Sequence, residues 1–239
     1  MILFLFGEDT YRSHLKLAQI KARFIDASLG DTNLAVLDCD DKTIAYDQIV
    51  REVLAIPFLS KSRLVVLKNL LSKASKKLQE QTVGLLEKIP ESTVMVIYES
   101  EKVDRRTAIF KKLNVSKSTQ EFKLLEPYQL KQWVKDQVSS QGGSIDNQAI
   151  ERLIQYIGND LWRLSNEITK LTTYNLQLTT DMVDLLVKPK ITANVFDLID
   201  AICNNNIKKT QQELHKLLDI GENEIYIHTM IVYQFRNLL

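Results

Sequence analysis

Two cysteines, four prolines, seven glycines and three histidines in 239 residues put several kinds of protein out of reach. Cys39 and Cys203 stand far apart and in no metal-ligand spacing, which argues against a disulfide framework or a zinc cluster and suits reduced thiols in the core. His14, His215 and His228 are scattered over helical patterns without a paired-histidine motif, and His228, on an apolar stripe, is expected to be a core residue. No GxSxG elbow occurs, and no metal site or catalytic constellation is expected. The longest apolar stretches, Ile2 to Phe6 and Leu64 to Leu67, fall far short of the roughly 20 residues that span a bilayer, so no membrane partner is expected. Basic residues are missing from the start of the chain, and Glu8 and Asp9 follow the first apolar run at once. A secretory signal is therefore not expected, and the cytoplasm is the expected compartment. The net charge is only +1, so any affinity for nucleic acid must come from a local patch.

What is present has a regular rhythm. Apolar runs of strand length recur at Ile2 to Phe6, Leu34 to Leu37, Leu64 to Leu67 and Val94 to Tyr98, and more weakly at Glu121 to Leu125. They do not alternate, as befits strands buried on both faces of a parallel sheet. Helical stripes separate them: Leu15, Leu17, Ile20 and Phe24, then Ile49, Val50, Val53 and Leu54, then Leu78, Val83, Leu85 and Leu86, then Ile109, Phe110 and Leu113. Strand and helix in alternation predict an α/β domain over 1–126 with a doubly wound parallel sheet.

In such a sheet ligands bind beyond the carboxyl ends of the strands, where Gly7, Glu8 and Asp9 open the stretch GEDTYR. A phosphate loop needs several glycines, a lysine and a magnesium-binding hydroxyl. Gly7 is the sole glycine here, no lysine precedes Lys16, and Glu8 and Asp9 put negative charge where a helix N-terminus would attract an anion. The expected structure is an acidic helix cap at a degenerate phosphate-loop position, and no nucleotide cofactor is expected.

From Pro127 the pattern turns helical. Leu130, Trp133, Val134 and Val138 form one stripe, which SQGGS breaks; Ile150, Leu153, Ile154 and Ile157 form the next, with Asp146 as N-cap and Gly158 as terminator. Leu161, Leu164, Ile168 and Leu171 make a third, and Met182, Leu185 and Leu186 a short fourth, predicting a small helical domain over 127–188. VKPKIT, with Lys188 and Lys190 around Pro189, reads as a hinge. Beyond it, over 189–239, lie Val195, Phe196, Ile199 and Ile202, then Leu214, Leu217 and Leu218, then Ile225, His228, Ile231, Val232 and Phe235. This last stripe reaches Leu239 without a capping signal, so further residues are expected after it.

Several ordered blocks carry a resemblance: LFGEDTYR, IPFLSKSRLVVLKN, VMVIYESEKVDRRTAIFKKL, LKQWVKDQVSSQGGSIDNQAIERLIQYIGNDLWRLSNEITKLTTY and VFDLIDAICNNNIKKTQQELHKLL. Together they resemble the delta subunits of bacterial DNA polymerase III, clamp-loader components with an AAA+-like fold. No block is specific alone; their order along the whole chain carries the likeness. The resemblance implies an α/β plus all-α architecture: an AAA+-like domain, a small lid and the start of a helical collar. It implies a subunit that does not hydrolyse ATP, that binds the ring-shaped sliding clamp (the beta subunit) and that holds one ring interface open. Its implied partners are the gamma/tau and delta-prime types of loader subunit and primed DNA within the complex. Polymerase activity would belong to the holoenzyme.

The resemblance further places clamp contact at Ile56, Pro57, Phe58 and Leu59, an unbroken apolar run past the end of a helix stripe. Phe58 and Leu59 would be the inserted pair, matched by their distance before the Arg63 to Lys68 strand. Composition alone equally allows them to be local core beneath the sheet edge. Lys102, Arg105 and Arg106 are candidate DNA-phosphate contacts, as are Lys73, Lys76, Lys77, Lys111 and Lys112, although such runs are usually solvated faces. A delta-prime-like stator and an α/β nucleotide-binding enzyme remain alternatives. The stator would be expected to carry a zinc-binding cysteine cluster or an arginine-finger motif, and the enzyme to bind ATP.

Overall fold

The strand β1 (Ile2–Phe6) lies inside a five-stranded sheet, because every residue of its run finds apolar partners on one face or the other. We describe the fold from a computed structural model covering residues 1–27, 30–115, 118–189, 191–219 and 224–238, with side chains described for all of these except 191–196, 226, 233, 234, 237 and 238. Chain order continues with α1 (Thr10–Ala27), β2 (Leu34–Asp38), α2 (Tyr46–Leu54), β3 (Arg63–Lys68), α3 (Lys76–Leu85), β4 (Thr93–Tyr98), α4 (Ala108–Asn114) and β5 (Thr119–Glu121). The sheet order is β2-β3-β4-β1-β5, with every neighbouring pair parallel.

Alternate residues serve opposite faces. Phe4, Phe6, Val65, Leu67, Met95 and Ile97 pack against Ile49 and Val53 of α2, Leu85 of α3 and Ile109, Phe110 and Leu113 of α4. Leu5, Leu64, Val66, Val96 and Tyr98 pack on the other side with Leu17 of α1 and Phe122. Helices therefore cover both faces, as the unalternating runs require. Phe4 and Phe6 stack at 4.7 Å, and Phe110 meets their rings edge-on at 5.9 and 5.3 Å.

The fifth strand departs from expectation. It comprises the polar Thr119–Glu121, paired to Phe4–Phe6, rather than the apolar run from Glu121 to Leu125. An edge strand has a single ladder partner and less to bury, so polarity does not disqualify it. Leu15 of α1, expected on the buried stripe, is exposed, while Tyr11, Ser13 and Leu17 form the buried face.

The chain folds as two units, Met1–Leu124 and Leu125–Leu239. The second contains α5 (Pro127–Ser140), β6 (Ser144–Ile145), α6 (Asn147–Ile157), α7 (Leu161–Tyr174), β7 (Gln177–Leu178), α8 (Thr180–Leu186), α9 (Ile191–Cys203), α10 (Ile207–Asp219) and α11 (Glu224–Leu238). Its boundaries follow local chemistry. Pro127 takes the first helical position behind a Glu126–Gln129 capping box, the Asp146 side chain accepts the Ala149 N–H at 2.7 Å, and Gly158 ends α6 at φ 74°. The two-residue ladder β6–β7 has no apolar signature and was not expected.

Register errors appear where stripes are short. In α8 the buried residue is Val183, and Leu185 faces solvent. In α11, Ile227 is buried with Leu198, Ile199 and Leu217, whereas Ile225, Val232 and His228 are exposed, so His228 is not a core histidine. Lys190 lies outside the described residues.

The two thiols also part company. Cys39 is buried beside Glu99 and Asp38, and its pKa is pushed up to about 12, first by burial and then by those two carboxylates. Cys203 is exposed at the end of α9, contrary to its expected place in the core. Reaction with an aromatic disulfide reagent at neutral pH should accordingly titrate Cys203 in the native chain, and Cys39 only after denaturant is added. Rapid reaction of both thiols without denaturant would contradict the burial of Cys39.

Candidate functional site

The loop between α2 and β3 is shaped by groups that close the end of α2. The last-turn carbonyls of Glu52 and Val53 have no helical partners of their own. Arg63 Nε donates to Glu52 O at 3.0 Å, and Thr93 Oγ1 to Val53 O at 2.9 Å. The Arg63 guanidinium also pairs with the Glu52 carboxylate. Buried Ile49 and Val53 hold the helix down, and Ala55, at ψ 135°, turns the chain into extended backbone before Pro57.

Beyond that point the chain exposes oil. Ile56 is 89% exposed, Phe58 65% and Leu59 80%. Leu54, expected to be part of the helix's buried stripe, is half exposed and adjoins them, while Pro57 is half-buried. Phe58 and Leu59 are thus not core beneath the sheet edge. Scattered exposed leucines need no explanation, but four exposed apolar side chains within residues 54–59, one at the end of α2 and three on the loop after it, form a patch.

The backbone under this patch is tied down. Phe58 N–H donates to Asn33 Oδ1 at 2.7 Å, and Asn33 Nδ2 donates to Phe58 O at 2.8 Å. Leu59 follows at φ 49°, in the left-handed region that a bulky side chain seldom enters. Because this loop precedes β3, it lies at the amino ends of the parallel strands. The loop after β1 lies at the opposite end of the same sheet.

That opposite loop contains Gly7, Glu8 and Asp9. Asp9 is buried and caps α1: its Oδ1 accepts Arg12 N–H at 2.9 Å, and its other oxygen pairs with the Arg12 guanidinium. The same guanidinium donates to Lys123 O. Glu8, expected to share the capping role, is exposed and pairs with Lys102 at 3.3 Å instead. Gly7 sits at φ 138°, and a Cβ on it would fall 2.2 Å from Phe122 O. Asp9 N–H donates to that same oxygen at 3.0 Å. Here glycine serves close passage of the chain continuing from β5. One loop amide is committed to protein, and the helix end is filled by a carboxylate of the chain's own.

Five of the eight basic candidates are matched by acids. Lys102 pairs with Glu8, Arg105 with Glu121 and Arg106 with both oxygens of Asp104, whose pKa the Arg106 contacts pull down to about 2. Arg105 also lies 5.7 Å from the Phe6 ring centre. Lys73 pairs with Glu101, and Lys112 with Glu87. Lys76, Lys77 and Lys111 are exposed. Among the described residues no three His, Cys, Asp or Glu side chains are grouped to hold a metal ion, and no helix is long and apolar enough to cross a membrane.

A cleft of about 530 Å³ in the second unit is also charged on both signs. Arg152 lies 3.3 Å from Asp184, Tyr156 donates to the same carboxylate at 2.5 Å, and Lys216 pairs with Glu213 at 2.7 Å. Burial, then Asp184, raises the Tyr156 pKa to about 12.

Of these features the apolar loop was legible in sequence, whereas Asn33, Arg63, Glu52 and Thr93, which shape it, were not. Each acts through a hydrogen bond to a residue remote in the chain, and no short motif records that.

A family model described as the DNA polymerase III delta subunit matches residues 3–123, one described as a middle domain matches 126–185, and one described as the C-terminal domain of the DNA polymerase III delta subunit matches 192–239. The chain is 29% identical over 246 aligned residues to the DNA polymerase III subunit delta of Bacillus subtilis strain 168, covering 98% of this chain and 70% of that protein. Among solved structures it is similar to the B. subtilis DNA clamp loader delta protein, at TM-score 0.66 and 27% identity, covering 98% of this chain and 72% of that one. The Thermotoga maritima RuvB Holliday junction branch migration motor shares the fold, with TM-score 0.54 and 12% identity over 84% of this chain and 68% of that one.

Proposed function

Because the chain belongs to the DNA polymerase III delta subunit family, a clamp-loader component of DNA replication, we propose that it binds the sliding clamp through Ile56, Pro57, Phe58 and Leu59 and holds one ring interface open. The observation that carries this is the exposure of that apolar run on a pinned loop. Full burial of two such side chains is worth about 3 to 5 kcal/mol by area, before the cost of association. That is enough for an interface anchor.

The subunit does this without catalysis of its own. Gly7 is committed to Phe122 and the helix end to Asp9, which supports a chain that neither binds nor hydrolyses ATP; gamma/tau and delta-prime subunits would complete the complex in the cytoplasm. Within it the units would divide as AAA+-like domain, lid and collar, with a hinge near Pro189, consistent with the three separately matched spans. Primed DNA would meet the complex, and Lys102, Arg105 and Arg106 remain its candidate phosphate contacts once they exchange their carboxylates for phosphate.

Nucleotide dependence tests the non-catalytic role. Affinity of the isolated chain for its cognate clamp is expected to be the same with and without millimolar ATP, and a fluorescent ATP analogue should show no saturable binding. Saturable nucleotide binding would overturn the reading of the Gly7 loop.

A further inference from the structure

We infer that Asn33 is a positioning residue for the clamp-contact loop, its carboxamide fixing the Phe58 peptide so that the apolar side chains around it are presented already ordered. This rests on the proposal that the loop meets the clamp. Asn33 is 1% exposed, and both its amide groups face the loop: Oδ1 accepts Phe58 N–H at 2.7 Å and Nδ2 donates to Phe58 O at 2.8 Å. A carboxamide has the donor and acceptor of a peptide group, so the side chain pairs with Phe58 much as a neighbouring strand's backbone would. Its own carbonyl accepts Leu64 N–H at 2.9 Å, which anchors the staple to the first residues of β2 and β3.

Two details make this more than loop closure. First, the residue after the stapled peptide is Leu59 at φ 49°, a conformation that a leucine keeps only where its surroundings over-determine it. Bonds to the Phe58 N–H and C=O, in the peptide groups on either side of its Cα, supply that constraint. Second, the loop has little apolar contact of its own to order it, because Ile56, Phe58 and Leu59 point their area at solvent. An untethered loop with such side chains would fold back onto local apolar surface or sample many conformations, and binding would have to order it first. Asn33 places that ordering in the folding of the sheet. Aspartate lacks the donor, and alanine leaves both Phe58 backbone groups without their partner.

The test is a titration of the full chain with its cognate clamp for wild type, Asn33→Ala, Phe58→Ala and the pair combined, with amide hydrogen exchange at Phe58 and a thermal melt for each. Asn33→Ala should lose exchange protection at Phe58 and bind the clamp about tenfold more weakly. In the Phe58→Ala background the same change should cost clearly less, about threefold, because the Phe58 share of the anchor is already gone and only Leu59 and Ile56 are left to position. Should the alanine variant fail to fold, Asn33→Ser, a small neutral side chain that cannot reach both Phe58 backbone groups, is put through the same comparison. Full wild-type affinity for Asn33→Ala beside a weakened Phe58→Ala would overturn the inference and leave the clamp contact standing. An equal loss on both backgrounds would show a general structural role and overturn it as well. Unchanged affinity in both single variants would remove the clamp contact itself, and the inference with it.

Discussion

Alanine in place of Gly7 should destabilise the first unit by about 3 to 5 kcal/mol, the sum of backbone strain and overpacking. At φ 138° an L side chain is strained whatever the space around it, and here the added Cβ would also stand 2.2 Å from Phe122 O and 2.6 Å from its carbonyl carbon and nitrogen. Those are backbone atoms of the segment that continues β5, so relief requires moving a strand rather than a side chain. The edge strand would separate from β1, and the Asp9 N–H bond to the same oxygen would be lost. Gly142→Ala is the control: its φ of 79° also disfavours a side chain, but its Cβ would meet nothing within 4 Å, so about 1 kcal/mol is expected. Urea unfolding of both variants measures the difference. Equal stability of Gly7→Ala and wild type would mean that the loop is not held by Phe122.

Replacing Phe58 and Leu59 together with alanine should weaken binding to the sliding clamp by about 2 to 4 kcal/mol, or roughly 30- to 1000-fold. The same double variant should unfold within about 0.5 kcal/mol of wild type, since both side chains are mostly in solvent and their removal opens no cavity. This separation of affinity from stability is the signature of an interface residue. Ile56→Ala should have a smaller effect, as a flanking contact. A variant that binds normally would place the contact elsewhere; one that unfolds would mean that the loop is core after all.

Sequence and structure agree where burial is strong and periodic. Strands β1 to β4 were legible because their residues are apolar on both faces, and Leu64 to Leu67 are completely buried. The polar Thr119–Glu121 was passed over for the apolar run that follows, because edge position is not written in composition. Asp146 and Gly158 announced the ends of α6 through their capping chemistry, whereas Leu185 and His228 were misplaced because seven residues in α8, or one face of α11, fit more than one register. At the candidate contact, an unbroken apolar run past a helix end was visible. The left-handed Leu59 and its hold through Asn33, 25 residues from Phe58, depend on folding and left no local mark. At Gly7 the missing lysine could be read, but the approach of Phe122 could not.

Calorimetric titration of the wild-type chain with its cognate sliding clamp, in buffer free of nucleotide, tests the central claim most directly. Saturable binding of the chain to the ring, with a negative heat-capacity change from apolar burial at the loop, is the predicted result. Absence of binding by a chain shown to be folded would contradict it.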